Sequence, residues 1–408
     1  TPTIVRQKIV EIQKPLRLNK LRFSLFLFRP NMSFRITDNP EGLQQAFPYP
    51  RSDSGAISDL ANELIARISN NGPTSFHDYM AECLYHPTHG YYSRPETPTA
   101  SKEGDFMTSI SVGPVFGQLL ARRFHKFWTA NGSPDSFTIV EIGAHDGALA
   151  LDILDYLPAL DPQFAKATHY VISEPLPQRC LFLQNRLRER ATITSNPKDI
   201  QAEIGVLVAN EVLDALPVPL YLRTQNEWWE AAVDHDGKAF QWATLPDPID
   251  LSYDGDFPDG FVTEGDPDLN SFLGPLSEIF EKGLFTFIDY GMDEASLHHP
   301  ARSAGTLRCY RNHQSNAHPL DFPGEQDLTE DVNFTSLEKA ARDLGLTQHP
   351  VTAQGRFLVH CAKEWLLKSP SPKEVSQFQT LIHPGQFGNR FYFCELTKGD
   401  VDYAFPGD

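Results

Sequence analysis

The chain has 408 residues, 53 acidic against 35 basic side chains, and a formal net charge of −18. At about 150 residues per domain this length suggests two to three domains or one large decorated one, and 40% hydrophobic with 11% aromatic content excludes disorder as a description of the whole. The negative balance argues against nucleic-acid binding, which needs basic patches to displace counterions from phosphate.

The charge is unevenly placed. Residues 1–31 carry Arg6, Lys8, Lys14, Arg17, Lys20, Arg22 and Arg29 against Glu11, a balance of +6 that leaves the remainder at −24. Three readings stand side by side: a targeting leader, which implies the mitochondrial matrix; a basic arm for an anionic partner; or translated upstream sequence with Met32 as the start, which implies a bacterial cytoplasm. Leu21–Phe28 is the most apolar early run, but it contains Arg22 and falls far short of the roughly 20 residues a membrane span needs. Residues 38–55 read as an irregular lead-in.

Ile57, Leu60, Leu64, Ile65 and Ile68 recur at helical spacing over 56–69, and Thr74-Ser75-Phe76 can cap a second helix through about Leu84. Residues 86–105 mix Pro, Gly and Tyr as a loop does, and 113–130 is again helical in period. From 137 strands and helices alternate: Phe137–Ile142, helix Leu149–Leu157, Tyr170–Ser173, helix 179–189, Gly205–Ala209, and Leu284–Ile288. Alternation of this kind implies βαβ units and a parallel sheet. Residues 219–245 break the pattern and predict an antiparallel insert turning at Asp236-Gly237. Residues 246–270, acidic and rich in Pro and Gly, predict a surface excursion. The remainder predicts a helix near 335–344, a strand Arg356–His360 or a helix through Trp365, and a strand Arg390–Leu396.

Three motifs sit where the C-terminal edge of that sheet is expected. Val140 to Gly147 is a strand ending in an acid, Glu141, and running into a glycine turn. Its spacing is not that of a dinucleotide pyrophosphate site, and an acid before the first glycine suits S-adenosylmethionine, which has no phosphate; an ordinary βα turn is the plain alternative. Glu174 ends the next strand, where a carboxylate can accept both hydroxyls of a ribose, or be solvated. Asn210-Glu211 and Asp214 follow the strand at 205–209; two carboxylates and an amide there can grip a cationic acceptor, or cap a helix. Cys83, Cys180, Cys309, Cys361 and Cys394 form no C-x-x-C pair, and the 14 histidines form no H-E-x-x-H, so neither a disulfide framework nor a metal site is expected.

Several strings in one order carry a resemblance. They are His89-Gly90-Tyr91-Tyr92, Gly104-Asp105-Phe106-Met107-Thr108-Ser109, Val115-Phe116-Gly117, the turn at 141–147, Asn210-Glu211 with Asp214 to Val218, Asp289-Tyr290-Gly291, Gly305 to Arg308, Asp327-Leu328-Thr329 with Asn333-Phe334, and Gln354 to Leu358. From about Phe76 to Leu396 the chain resembles the MidA-type methyltransferases, which include the mitochondrial complex I assembly factor that methylates arginine and its bacterial relatives. The resemblance implies a Rossmann-like class I methyltransferase fold, an α/β architecture with a seven-stranded, mostly parallel sheet, an N-terminal helical layer (56–135), a core (136–218 and 284–408) and a β-rich insert (219–283) on the acceptor side. It implies S-adenosylmethionine as cofactor and a protein arginine as acceptor. The cofactor residues are then Gly104, Asp105, Phe106, Thr108, Glu141, Gly143, His145, Gly147, Glu174 and Asn210, and the catalytic ones Glu211, Asp214, Asp289 and His313.

Two departures qualify it. The family turn E-L-G-P-G-R-G has Ala144 and His145 here, and a Cβ at a position needing positive φ is strained. The family T-S-P-E reads Thr108-Ser109-Ile110-Ser111, without its carboxylate. They motivate an alternative, a catalytically weak methyltransferase fold that serves as an assembly or binding factor; a small-molecule methyltransferase is a third reading.

Overall fold

The computed structural model describes residues 46–49, 58–93, 108–251, 253, 255–311 and 314–404. The expectations for residues 1–31 and for Gly104, Asp105, Phe106 and His313 lie outside the described residues.

The main sheet consists of β1 (Phe137–Ile142), β2 (Thr168–Ser173), β3 (Thr192–Thr194), β4 (Ala202–Asn210), β5 (Phe280–Asp289), β6 (Thr347–Gln348), β7 (Thr352–Ala353) and β8 (Tyr392–Lys398). Its spatial order is β3-β2-β1-β4-β5-β8, with β6 and β7 both along the outer edge of β8. The first five strands are parallel and β8 is antiparallel to β5. Gln348 pairs with Leu396 and Thr352 with Phe393, so β6 and β7 are two ends of one edge strand. The break falls around Pro350, which has no N–H to give a ladder. Seven strand positions result, as expected.

Alternate residues of the central strands feed two cores. Ile139, Val206 and Leu284 share one with α-helical residues such as Phe116, Ile153 and Phe357; Val140, Leu207 and Phe285 share the other with Leu273, Leu337 and Ala341. Both faces are covered, which is why these strands read as unbroken apolar runs. Helices α1 (Asp59–Asn71) and α2 (Phe76–Tyr85) are capped by Ser58 and Ser75, and α3 (Val115–Ala130), α4 (Ala148–Leu160) and α5 (Pro177–Leu187) follow.

The insert is the antiparallel array expected at 219–245. Its central strand Glu227–His235 pairs with Leu220–Thr224 and Phe240–Ile249, and at Ala232 and Val233 with Thr74 and Ser75. The N-terminal helices therefore divide. α1 and α2 pack on the insert, through Leu60, Phe76 and Tyr79 against Phe240 and Trp242, whereas α3 packs on the main sheet.

One expectation is corrected in part. Residues 246–270 are not a surface excursion throughout: a strand runs on to Ile249, Val262–Glu264 joins the insert fully buried, and Phe257 and Phe261 close on Trp228 at ring distances of 5.3 and 6.0 Å, while Asp256, Pro258 and Asp259 stay exposed. The apolar anchors outweigh the acidic, Pro-rich composition around them. Of the two readings open at 356–365 the helix holds, as Gln354–Cys361 followed by Lys363–Leu367. A further helix, Pro372–Ile382, carries a full capping box between Ser371 and Glu374, a signal present in the sequence as S-x-x-E. Among the described residues no helix is long and apolar enough to cross a membrane.

Candidate active site

Register brings the motifs together. Ile142 lies opposite Ser173 on one side and Ala209 on the other, and Asn210 lies opposite Ile288. The glycine turn, Glu174, the 210–214 segment and Asp289-Tyr290 therefore emerge side by side at the carboxyl edge of the sheet, where open α/β sheets bind ligands.

Gly143 and Gly147 both have left-handed backbones, φ 69° and 77°. A Cβ at Gly143 would stand 2.7 Å from Cγ2 of Val212, so this glycine also admits the neighbouring segment. His145 is left-handed too, at φ 50°, so the strain expected for a side chain there is present. Burial and the nearby Arg179 guanidinium push its ring down to about 4, leaving the imidazole neutral at physiological pH. Asp146 accepts from the Ala148 amide at 3.0 Å and pairs with Arg186 at 3.3 Å, fixing the entry to α4.

Glu141 accepts a 2.7 Å hydrogen bond from the Tyr170 hydroxyl on β2, and burial pushes its carboxyl up to about 7. Glu174, 5% exposed, accepts from the Leu176 amide at 2.9 Å and is likewise raised to about 7 by burial, against the opposing pull of Arg179. Arg179 donates through Nε to the Tyr92 carbonyl at 3.0 Å and so ties α5 to the Tyr91–Ser93 turn. Thr108 is buried and accepts from the Ser111 amide at 3.2 Å, while Ser109 donates to Gln354 at 3.0 Å.

Asn210 caps no helix: only a single 3-10 turn, Leu213–Ala215, starts in the 210–214 segment, after Val212. Glu211 is left-handed at φ 54°, its amide donates to the Ile288 carbonyl at 2.8 Å, and Asn210 Nδ2 donates to Glu211 Oε1 at 2.9 Å. Burial, then the Asp214 charge, pushes Glu211 up to about 8; burial pushes Asp214 up to about 6, opposed by the Tyr290 hydroxyl and Arg308. Asn210 Oδ1 and Asp214 Oδ1 are buried with no hydrogen-bond partner among the described residues. Buried oxygens of this kind call for a donor, which a ligand rich in N–H or O–H supplies.

Asp289, expected among the catalytic carboxylates, has another place. Its Oδ2 accepts the amides of Val212, Leu213 and Asp214 at 3.1, 2.9 and 3.3 Å, and Oδ1 accepts the Tyr290 amide at 3.0 Å. Four backbone donors engage it, so it shapes the loop that carries Glu211 and Asp214 and offers no group to a substrate. Its pKa is raised well above the ordinary carboxylate value by burial and by Asp214 and Glu211.

Several neighbours were not singled out as site residues from sequence. The Tyr290 hydroxyl donates to Asp214, Arg308 pairs with Asp331, and Tyr92 donates to Asp327 at 2.8 Å. Tyr85 donates to the Ala215 carbonyl at 2.9 Å. Each belongs to or adjoins a string that carries the resemblance, but only the fold shows that these strings converge.

The site fits an S-adenosyl ligand: positive-φ glycines let the backbone approach, a buried carboxylate stands at the ribose position of β2, and Asn210 keeps an unused acceptor. The model of the "putative S-adenosyl-L-methionine-dependent methyltransferase" family matches residues 119–352. The chain belongs to that family.

This methyltransferase is similar to the mitochondrial protein arginine methyltransferase NDUFAF7 homolog of Drosophila melanogaster, 28% identical over 95% of this chain and 96% of that one. It is 27% identical to protein arginine methyltransferase NDUFAF7 of Mus musculus, also mitochondrial, over 85% and 86% of the two chains. A crystallised Burkholderia thailandensis protein bound to S-adenosyl-homocysteine superposes with a TM-score of 0.73 at 28% identity, covering 85% of this methyltransferase and 94% of that chain. The fold is the Rossmann-like methyltransferase fold, and S-adenosylmethionine is the cofactor.

Proposed function

We propose that this methyltransferase methylates an arginine side chain of a protein. The observation that carries the reading is the placement of Glu211 and Asp214 beside the cofactor edge, with one buried Asp214 oxygen unused among the described residues. The relatives named as arginine methyltransferases support it.

When bound, S-adenosylmethionine supplies a methyl group already activated on a sulfonium: an N–C bond forms as the S–C bond breaks, sulfur keeps the electron pair, and the acceptor nitrogen gives up a proton. Glu174 accepts the ribose hydroxyls, Gly143 and Gly147 allow close backbone approach, and Glu141, His145, Thr108 and Asn210 complete the lining, with Gly104, Asp105 and Phe106 as further cofactor candidates from the resemblance. A guanidinium stays protonated, with a pKa above about 12. Asp214, and Glu211 once the cation beside it favours its ionised form, therefore orient it and stabilise its charge until the proton leaves, with His313 as the further candidate. The insert with α1 and α2 forms the acceptor side. Residues 1–31 act as a mitochondrial leader, a location supported by their +6 balance and by the mitochondrial relatives.

Incubation of the protein with isotope-labelled S-adenosylmethionine and a cell lysate, followed by mass spectrometry of the products, tests the acceptor. Label on protein arginine is expected. Label confined to other residues overturns the acceptor, and failure to bind S-adenosyl-homocysteine at millimolar concentration overturns the cofactor site.

A further inference from the structure

Asp214 is aimed by a side chain that no reading above uses. Tyr290 directly follows Asp289 at the end of β5 and is 8% exposed. Its hydroxyl donates to Asp214 Oδ2, while Oδ1 of the same carboxylate has no partner among the described residues. The Tyr290 backbone is fixed at both ends: its amide donates to Asp289 Oδ1 at 3.0 Å and its carbonyl accepts the Val332 amide at 3.0 Å.

The ring is held as firmly. Arg308 places its guanidinium 5.1 Å from the ring centroid and Arg390 places one at 6.0 Å, and Phe391 packs edge-on at 5.7 Å. Arg308 is in turn anchored by Asp331. These contacts hold the ring, and its single hydroxyl proton goes to Asp214, with Thr329 as the hydroxyl's other neighbour.

We propose that Tyr290 is a positioning residue for methyl transfer: by engaging Asp214 Oδ2 it leaves Oδ1 as the single oxygen presented to the acceptor nitrogen. The proposal rests on the reading of Asp214 as an acceptor-side carboxylate. A hydroxyl donor to a carboxylate also favours the ionised form, so the same bond keeps Asp214 charged despite its burial. The groups that act on Asp214 besides Tyr290 are Arg308, Asp331, Asp289, Glu211, Glu330, Tyr85 and Tyr92; Tyr290→Phe leaves all of them in place and keeps the ring between its cations.

The test uses the full chain, tritiated S-adenosylmethionine and the proteins of a cell lysate as acceptor pool, with initial rates followed across pH. Tyr290→Phe is expected to lower the rate about ten- to hundredfold, as loss of a hydrogen bond to a charged group implies, with S-adenosyl-homocysteine affinity within twofold of wild type. The acidic limb of the profile should move upward by about one pH unit or more. Asp214→Asn combined with Tyr290→Phe should be no slower than Asp214→Asn alone. A wild-type rate and profile in Tyr290→Phe, or losses that add in the double variant, overturn the proposal. Label on residues other than arginine overturns the acceptor assignment while the Tyr290 comparison still decides this one; absence of any transfer by the wild type overturns both.

Discussion

Asp289 Oδ2 lies 2.9 Å from the backbone nitrogen of Leu213 and accepts the two flanking amides as well. One carboxylate at the end of β5 thus organises the segment that leaves β4. Removing it as Asp289→Ala strands four amides that are otherwise paired, those of Val212, Leu213, Asp214 and Tyr290, at about 1–3 kcal/mol for each one left buried. The expected result is a melting temperature several degrees lower together with lost transfer activity; Asp289→Asn, which keeps one acceptor oxygen, should fall between. Thermal unfolding of the two variants checks this, and an Ala variant as stable as wild type contradicts it.

Glu174 should act on cofactor binding. Glu174→Gln removes a charged acceptor from the ribose position, and loss of hydrogen bonds to a charged group costs about 1.5–3 kcal/mol. Calorimetric titration with S-adenosyl-homocysteine should show roughly ten- to hundredfold weaker binding. Unchanged affinity would move the cofactor away from β2.

Glu211→Gln and Asp214→Asn should do the reverse. Turnover should drop at least about a hundredfold, the order expected for lost charge stabilisation in a reacting site, while S-adenosyl-homocysteine binds within a few-fold of wild type. Single-turnover measurements with labelled cofactor separate the two effects. Weakened cofactor binding without slower transfer would place these carboxylates on the wrong side of the site.

The raised carboxyls also fix a sign for pH. Glu211 is pushed up to about 8, mainly by burial and then by Asp214, so its ionised form is disfavoured in the folded protein. The resulting loss of stability is absent below its unfolded value near 4, grows as pH rises, and is complete above about 8. Glu211→Gln escapes it. The melting temperature of this variant relative to wild type should therefore climb from pH 5 to pH 9, and a flat or falling difference would contradict the burial of this charge.

His145 offers a gain. A side chain at φ 50° costs about 1–2 kcal/mol in left-handed backbone, part of which glycine returns in chain entropy. His145→Gly should raise stability by about 1 kcal/mol and leave S-adenosyl-homocysteine affinity equal or better. Lower stability would show that the imidazole contributes contacts that outweigh the strain.

Much of this arrangement is legible in the sequence. Strand and helix periods place β1, β2, β4 and β5 and most of the helices, because both faces of the sheet are buried and apolar residues dominate. The cofactor-side motifs are local, each a strand end followed by a turn, so Gly143, Gly147 and Glu174 can be read directly. Tyr290 and Arg308 cannot. Their partners Asp214 and Asp331 lie 76 and 23 residues away, and no periodicity records such a meeting. Asp289 shows the opposite failure: an acid at a strand end looks free to act, and only the three amides folded over it show that it is occupied. Residues 246–270 mislead because composition averages over Phe257 and Phe261, whose burial decides the path.

The Tyr79 hydroxyl donates to the carbonyl of Leu320, 241 residues further along the chain. The first helices described here are thus finished by a segment that follows the insert and leaves the ribosome late. Until Phe240, Trp242 and Leu320 are made, Phe76 and Tyr79 lack these partners, and contacts closed over such distances form slowly. The insert and the two helices packed on it therefore complete their shared core only late in synthesis.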